Sequence, residues 1–340
     1  MSTTLSLEDI KADDKVMSPV EIFSLIREDL ISVEHEFGNQ VDDASPQVSS
    51  IVKYLLESGG KRVRPALVLL ASRLVCGEAV PASVRMGAVM EMLHTATLVH
   101  DDIIDEASVR RGRTSANAKW GNNVSVLIGD WLYMTAFDTS LRERSFEILE
   151  TLTSMTRLMV EGEVLQLALI GNSQITEEEH LEIVRRKTAY MFRACADIGA
   201  IVAGATDEQR RALAHYGLSA GIAFQLVDDV LDFISTEDKL GKPVANDLRE
   251  GKLTLPLIYL LQKYPEYRDR LEAVMHDSGF ESVTREEVVE WIDKHGALDR
   301  ARNEARRYAD EATDALSIFP HSRYRQALLS IPRFIIERDM

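Results

Sequence analysis

The chain has 340 residues, 45% of them hydrophobic, and its 55 acidic and 39 basic side chains give a formal net charge of −16. This length allows a large buried core, and the acidic balance argues against a nucleic acid partner. The sequence shows neither a signal-peptide pattern nor an apolar run long enough to span a bilayer, so we expect a cytoplasmic protein without stable membrane insertion. The two cysteines, Cys76 and Cys195, stand far apart in apolar surroundings and predict buried thiols rather than a disulfide.

The predicted elements are almost all helical. Residues 1–16 are polar and predict a loose tail, and residues 17–340 predict one domain, because no Pro/Gly/Ser-rich linker divides them. Apolar residues recur at three- and four-residue spacing, the period of a helix, whereas strand and hairpin signals are weak. We therefore predict an all-α bundle. The periodic stretches are 22–37, 52–56, 66–75, 84–104, 124–137, 146–169, 183–202 and 212–233.

The first candidate binding residues lie in GGKRVRP, residues 59–65, just before a periodic stretch. Glycines let backbone N–H groups approach a phosphate, and the N-terminus of the following helix adds a favourable partial charge. Lys61 and Arg64 are therefore candidates for binding an anion. A basic cluster near a helix start is also often no more than a solvated surface.

Two copies of the pattern Asp-Asp-x-x-Asp, residues 101–105 and 228–232, fall near the C-terminal ends of predicted helices. The first and last aspartates of each copy share a helical face, where like charges repel, so a cation should compensate them. Mg²⁺ takes one or two carboxylates and fills its other positions with water and phosphate oxygens. One such cluster could be a solvated face, but two inside helical stretches predict a magnesium–diphosphate site at one mouth of the bundle.

Further polar candidates accompany the two aspartate clusters. His94 lies seven residues before Asp101 on the same helical face, although a lone buried histidine is more often a core residue. Arg110 and Arg111 follow the first cluster, and arginine forks bind phosphate oxygens in pairs. The remaining candidates are Lys187, Thr188 and Gln225, with Lys242 and Lys252 in a loop over 241–253 that could close over the site.

With these motifs, the chain resembles the trans-type polyprenyl diphosphate synthases, and within them the long-chain bacterial octaprenyl type. The resemblance runs from about residue 59 to the end. Its motifs are GGKRVRP, HTATLVHDDIIDEASVRRG, ANAKWGNNVSVLIGD, EGEVLQL, RRKTAYMF, FQLVDDVLD and DLREGKLTLP. One departure is Ala245, where the family often has glycine.

The resemblance implies a fold, an activity and an assembly. The fold is the isoprenoid-synthase type, a bundle of long, mostly antiparallel helices around a central cavity. The activity is that of a prenyltransferase, which condenses isopentenyl diphosphate onto an allylic diphosphate such as farnesyl diphosphate. The implied products are of about C35–C45 and serve as quinone side chains, and the implied assembly is a homodimer.

The resemblance also gives the matching residues their roles. The cofactor would be Mg²⁺, three ions per site with substrate bound, and its ligands would be Asp101, Asp105 and Asp228. Asp102, Asp229 and Asp232 complete the two catalytic clusters. Isopentenyl diphosphate would be bound by Lys61, Arg64, His94 and Arg111. The allylic diphosphate would be bound by Arg110, Lys187, Thr188, Gln225, Lys242 and Lys252.

Product length depends on the channel that takes the growing apolar chain. Ala96 and Thr97 are small and lie five and four residues before Asp101, so we expect a long product to pass them. Candidates for the channel floor are Trp131, Met134 and Phe137. Bulky residues at helical spacing are, however, usually core.

Three alternative functions stay open. The first is a shorter-chain synthase making products of about C20 or C25. The second is a class I terpene cyclase, which needs no second diphosphate site and so leaves the basic set around GGKRVRP unexplained. The third is a non-catalytic subunit of a heteromeric synthase, in which we would expect eroded aspartate clusters.

Overall fold

The computed structural model describes residues 16–78, 80–235 and 245–337, and most of them are helical. The all-α prediction is confirmed. Apart from Val16, the predicted N-terminal tail lies outside the described residues, as does Lys242. The predicted stretch 22–37 is divided into two helices at Ile26, and the stretch 183–202 is interrupted by a π-helical segment.

The elements follow in chain order. The first part of the chain forms α1 (Pro19–Leu25), α2 (Arg27–Asp42), α3 (Pro46–Leu56), α4 (Val63–Cys76), α5 (Pro81–Ile104), the antiparallel strands β1 (Val109–Arg110) and β2 (Arg113–Thr114), α6 (Ala116–Trp120), α7 (Asn122–Leu141) and α8 (Phe146–Leu169). The second part forms α9 (Glu177–Val184), the π-helical segment (Arg185–Ala189), α10 (Tyr190–Val202), α11 (Asp207–Ile234), α12 (Asn246–Arg249), α13 (Leu255–Lys263), α14 (Arg268–Asp277), α15 (Arg285–Lys294), α16 (Ala297–Ala315) and α17 (Arg323–Glu337), with 3₁₀ turns at Pro265–Tyr267 and Leu316–Ile318.

The core is centred on the two helices that carry the aspartate clusters. Helix α5 packs against α2, α4, α7 and α10, and α11 packs against α10, α16 and α17. On α5, Met86, Met90 and Leu93 are fully buried, and each such side chain stabilises the fold by about 1.5–3 kcal/mol. Phe224 on α11 packs against both major hydrophobic clusters and so joins them.

Two glycines allow helices to approach the π-helical segment closely. A Cβ at Gly162 on α8 would lie 2.5 Å from Cβ of Arg186, and one at Gly221 on α11 would lie 2.7 Å from Cα of Ala189. Real side chains do not tolerate such distances. The glycines therefore hold α8 and α11 directly against the π-helical segment.

Two sequence predictions outside the site can be compared with the structure. Both cysteines are free, and Cys195 is buried as predicted. Cys76 is exposed, contrary to the prediction, because it is the last residue of α4, where the helix leaves the core. Within the described ranges we find no helix with the length and apolarity that a bilayer span requires.

Candidate active site

A cavity of about 580 Å³ lies between α5, α7, α8, the π-helical segment and α11. Its lining combines charged and polar side chains with apolar ones. The polar lining residues include Arg64, His94, Asp101, Glu163, Lys187, Thr188 and Gln225. The apolar lining residues include Leu98, Val126, Met159, Val160, Val164 and Leu167. The cavity therefore offers charged groups for a diphosphate next to an apolar space for a hydrocarbon.

Asp101 brings a negative charge to this cavity. It is half-buried in the last turn of α5. Burial raises the pKa of Asp101 to about 6 against the attraction of Lys187, and the charges of Glu163 and Asp105 raise it further. A divalent cation would relieve both the burial cost and the repulsion, so the carboxyl suits a metal ligand.

The raised pKa predicts how the stability of the metal-free protein depends on pH. Because the folded state binds the Asp101 proton more tightly than the unfolded chain, the free energy of unfolding falls as the pH rises from about 4 to 6. The Asp101→Asn variant lacks this titration, so its stability advantage over the natural chain should grow by about 1 kcal/mol between pH 5 and pH 7.5. Denaturant unfolding in a chelating buffer measures this difference. A constant difference at the two pH values would contradict the prediction.

Asp102, next in the sequence, faces away from the cavity and holds Arg110. It is 3% exposed, and its Oδ1 accepts from Nε of Arg110 at 2.7 Å and lies 2.5 Å from Nη2. Arg110 lies on the β1–β2 hairpin rather than on a continuation of α5, because Arg111 and Gly112 turn the chain with φ of 51° and 75°. Asp102 thus positions a cation at the mouth of the site.

Two of the four residues predicted to bind isopentenyl diphosphate, His94 and Arg111, lie around a second, small pocket of about 50 Å³, together with Arg110 from the set predicted to bind the allylic diphosphate. His94 also lines the large cavity, so the two spaces meet at this imidazole. Burial lowers the pKa of His94 well below its usual range, and the nearby charges of Arg64 and Arg111 lower it further. His94 is therefore a neutral hydrogen-bonding group there.

The three basic residues of the GGKRVRP turn, Lys61, Arg62 and Arg64, have different surroundings. Lys61 is exposed. Arg62 forms a 2.7 Å ion pair with buried Glu91 and anchors the turn to α5. Arg64 lines the large cavity; its Nε contacts Sδ of Met191 at 3.0 Å, and burial lowers its pKa. The structure thus brings Arg64 into the cavity beside His94 and leaves Lys61 on the surface.

The π-helical segment presents Lys187 and Thr188 to the cavity. Lys187 Nζ pairs with Glu163 Oε2 at 2.6 Å, and Thr188 Oγ1 donates to Gln225 Oε1 at 2.9 Å. Glu163 was not among the predicted site residues. Its signal was present in the sequence, because it stands in the EGEVLQL motif and follows the glycine that admits the π-helical segment.

The three aspartates of the second cluster have different surroundings and contacts. Asp228 is half-buried and close enough to Arg64 for its charge to raise the pKa of that guanidinium, although burial has the larger, opposite effect. Asp229 is buried and contacts Gln225 and His180. Asp232 is also buried, and its Oδ2 accepts from the backbone N–H of Asp247 at 3.2 Å.

The chain after the gap at 236–244 returns to the site. The N–H of Ala245 donates to the backbone oxygen of Asp232 at 2.7 Å, and Ala245 has a φ of 54°. This left-handed conformation costs a non-glycine residue about 1 kcal/mol, which accounts for the preference for glycine implied by the resemblance. Lys252 then pairs with Glu250 at 2.7 Å and approaches Asp105 at 3.4 Å, so this segment meets the first cluster.

The carboxylates suit magnesium only together with a substrate. In the described part of the chain, no three histidine, cysteine, aspartate or glutamate side chains converge enough to hold a metal alone. Mg²⁺ prefers oxygen ligands and commonly takes one or two carboxylates, with phosphate oxygens and water completing its octahedron. Asp101, half-buried beside like charges, fits that pattern.

The predicted channel residues lie only partly along the cavity. Thr97 lines it, whereas Ala96 is fully buried and is not among the lining residues. The residues that α7 contributes to the lining are Val126 and Tyr133. The predicted floor residues lie elsewhere on α7: Trp131 and Phe137 are half-buried against the core, and Met134 is 63% exposed. None of these three residues lines this cavity, because a different face of α7 meets it.

Comparison with known proteins decides the family. The sequence model of the polyprenyl synthetase family matches residues 45–292. The chain belongs to the polyprenyl synthetase family. The predicted family and its prenyltransferase class are thereby confirmed.

Individual relatives match over nearly the whole chain. The octaprenyl diphosphate synthase of Haemophilus influenzae is 37% identical over 324 residues, 95% of this chain and 98% of its own. The all-trans-nonaprenyl-diphosphate synthase (geranyl-diphosphate specific) of Rhodobacter capsulatus is 38% identical, covering 94% and 97%. A polyprenyl synthase of Caulobacter crescentus, solved in complex with calcium and isoprenyl diphosphate, superposes with a TM-score of 0.89 at 34% identity, covering 96% and 99%.

Proposed function

We propose that this family member is a long-chain all-trans polyprenyl diphosphate synthase, which adds isopentenyl diphosphate units to an allylic diphosphate such as farnesyl diphosphate. The observation that carries the proposal is the cavity whose lining combines charged and apolar side chains and which meets a second basic pocket at His94. The octaprenyl and nonaprenyl relatives support a long product, for which we propose about C35–C45. We further propose that the enzyme is cytoplasmic and supplies quinone side chains.

We propose that the allylic diphosphate binds beside the charged residues of the cavity. Mg²⁺, three ions held by Asp101, Asp105, Asp228 and the substrate, would supply positive charge for the leaving diphosphate. Lys187 and Arg110 would bind the same diphosphate, with help from Lys242 and Lys252. The calcium and isoprenyl diphosphate of the Caulobacter crescentus structure support a cation and a diphosphate at a related site.

The chain's own residues favour ionisation of the allylic C–O bond. Preorganised cations stabilise the charge that accumulates on the departing diphosphate. The oxygens of Thr188 and Gln225, which line the same cavity, can stabilise the allylic cation, and the apolar lining keeps water from trapping it. The neutral His94 adds no charge that would repel this cation.

The second substrate then reacts from the region where the small pocket meets the large cavity. Arg111, Arg64, His94 and Lys61 would bind the diphosphate of isopentenyl diphosphate, so that its double bond faces the allylic carbon. The double bond attacks, a new C–C bond forms, and a proton passes to the released diphosphate. No side-chain nucleophile is needed.

The proposal is tested by incubating the protein with magnesium, farnesyl diphosphate and radiolabelled isopentenyl diphosphate, followed by chromatography of the dephosphorylated products. A ladder ending near C35–C45 supports it. Products that stop near C20 or C25 would support the proposed reaction and contradict the long-chain assignment. If no label is incorporated, the proposal fails in favour of a cyclase or a subunit that needs a partner.

We also propose a homodimer built on α7 and α8. Leu127 on α7 and Val160, Val164 and Leu167 on α8 are 46–67% exposed, and the last three also line the cavity. An apolar channel wall open to water would let water reach a reactive cation. A second copy packed on this face would cover both the apolar surface and the channel.

The Val164→Asp variant should therefore be monomeric and at least tenfold less active, since a buried charge at the interface costs several kcal/mol. Sedimentation velocity at micromolar concentration measures the first effect, and label incorporation measures the second. Val20, which is 79% exposed on α1, provides the matched control, because Val20→Asp should stay dimeric and active. If the Val164→Asp variant stayed dimeric, the interface would have to lie on another face of the protein.

A further inference from the structure

Behind the site, His180 and Asp229 form a buried contact for which the mechanism above has no use. His180 Nε2 lies 2.8 Å from Asp229 Oδ2, and the two residues are 7% and 3% exposed. His180 lies on α9, five residues before the π-helical segment begins, and Asp229 lies on α11. The contact thus joins α11, which presents Gln225 to the substrate cavity, to the helix that leads into the π-helical segment.

Asp229, held by His180, in turn accepts a hydrogen bond from Gln225. Gln225 Nε2 donates to Asp229 Oδ1 at 3.1 Å, while Gln225 Oε1 accepts from Thr188 Oγ1 at 2.9 Å. An ionised carboxylate only accepts hydrogen bonds, so the NH₂ group of the amide must face Asp229 and its oxygen must face Thr188. The four side chains therefore form one chain of hydrogen bonds, in which Thr188 donates to Gln225, and Gln225 and His180 both donate to Asp229.

These hydrogen bonds decide which atoms of Gln225 and Thr188 face the cavity. The Thr188 proton is used in the bond to Gln225, so lone pairs remain on its oxygen, and the amide oxygen also keeps a lone pair. With the amide turned over, an N–H donor would stand where the oxygen is. Lone pairs stabilise an allylic cation, whereas an N–H dipole of that orientation opposes it.

We propose that His180 is a positioning residue which, through Asp229, locks the Gln225 amide with its oxygen toward the reacting carbon. This inference rests on the proposed function. Without the imidazole, one oxygen of a buried carboxylate loses its partner, at a cost of the order of a hydrogen bond to a charged group. Asp229 is then free to turn toward other donors, and Gln225 loses its fixed orientation.

The test compares two replacements of His180. His180→Phe keeps a ring but removes the donor, and it should lower kcat by about 10–100-fold, the usual effect of losing an outer-shell partner. His180→Gln restores an N–H donor and should recover activity to within about fivefold of the natural chain. His295→Phe is the control, because His295 bonds to Tyr267 and neither residue lines the cavity.

Two substrate analogues separate positioning from simple damage. One is a diphosphate whose reacting carbon is replaced by a protonated amine, which mimics the cation, and the other is the thiolo analogue of farnesyl diphosphate, which does not ionise. In His180→Phe, affinity for the ammonium analogue should fall by the same factor as kcat. Affinity for the thiolo analogue and KM for isopentenyl diphosphate should change less than about twofold.

The outcomes separate this inference from the proposed function. If the natural chain incorporates no isopentenyl diphosphate, the proposed function fails. If the natural chain is active and His180→Phe keeps its kcat, the inference about His180 is wrong. The same holds if His180→Phe weakens both analogues equally, or if His180→Gln is as impaired as His180→Phe while the thermal unfolding midpoints of both variants match the natural chain.

Discussion

Replacing Asp101 by asparagine should lower turnover about 10³-fold and, in the absence of metal, raise the thermal unfolding midpoint. The activity falls because an uncharged amide cannot replace a carboxylate as a magnesium ligand, and one lost electrostatic contact in an active site costs about 10²–10³-fold. The stability rises because the natural carboxylate is half-buried beside the charges of Glu163 and Asp105. A residue that lowers stability but is needed for turnover is typical of a functional site.

The measurements are label incorporation at saturating magnesium and thermal unfolding in a chelating buffer. Asp138→Asn is the matched control, because Asp138 is exposed on α7 and should change neither quantity. Full activity in Asp101→Asn would show that this carboxylate is not a metal ligand. A lower midpoint, on the other hand, would show that some cation already compensates Asp101 in the folded protein.

The sequence was sufficient to predict the elements that position the site. Helix α5 is buried on most sides, which produces a long apolar pattern, and the two aspartate clusters lie at the ends of α5 and α11 as the spacing predicts. The pattern does not say what each aspartate does. Neighbouring residues on a helix point about 100° apart, so Asp101 faces the cavity while Asp102 faces the hairpin and holds Arg110.

Contacts between distant helices could not be predicted in this way. His180 and Asp229 are 49 residues apart, and neither spacing nor periodicity connects them. The π-helical segment that turns Lys187 and Thr188 toward the cavity also has no pattern of its own, since it depends on how closely α8 and α11 approach. Sequence reasoning therefore named the groups proposed to bind charge and missed Glu163 and His180, which contact Lys187 and Asp229.

The face of a helix that meets a cavity is equally hard to read from apolar spacing. Helix α7 has apolar residues on several faces: Tyr133 lines the cavity, Trp131 packs on the core, and Met134 is exposed. All three positions fit a core pattern, because an oligomer interface and a channel are apolar as well. Only the packing of α7 against α5 separates them.

Replacing Thr97 by phenylalanine should shorten the product from about C35–C45 to about C20 or less, with isopentenyl diphosphate still incorporated. Thr97 lines the cavity one helical turn before Asp101, and its hydroxyl donates to the backbone oxygen of His94 at 2.7 Å, so the bond that the change removes lies within α5. An aromatic ring at this position would narrow the cavity beside Asp101, where the growing chain must pass.

The neighbouring position gives a control of opposite character. Ala96 is fully buried, so Ala96→Phe should destabilise the fold by about 1–3 kcal/mol through overpacking, whereas Thr97→Phe should leave the unfolding midpoint nearly unchanged. Thr97→Val keeps the volume and should keep the long product. Chromatography of the dephosphorylated products distinguishes these cases. If Thr97→Phe still made the full-length product, the chain would leave the site along another wall of the cavity, and the apolar residues of α8 would become the next candidates for that wall.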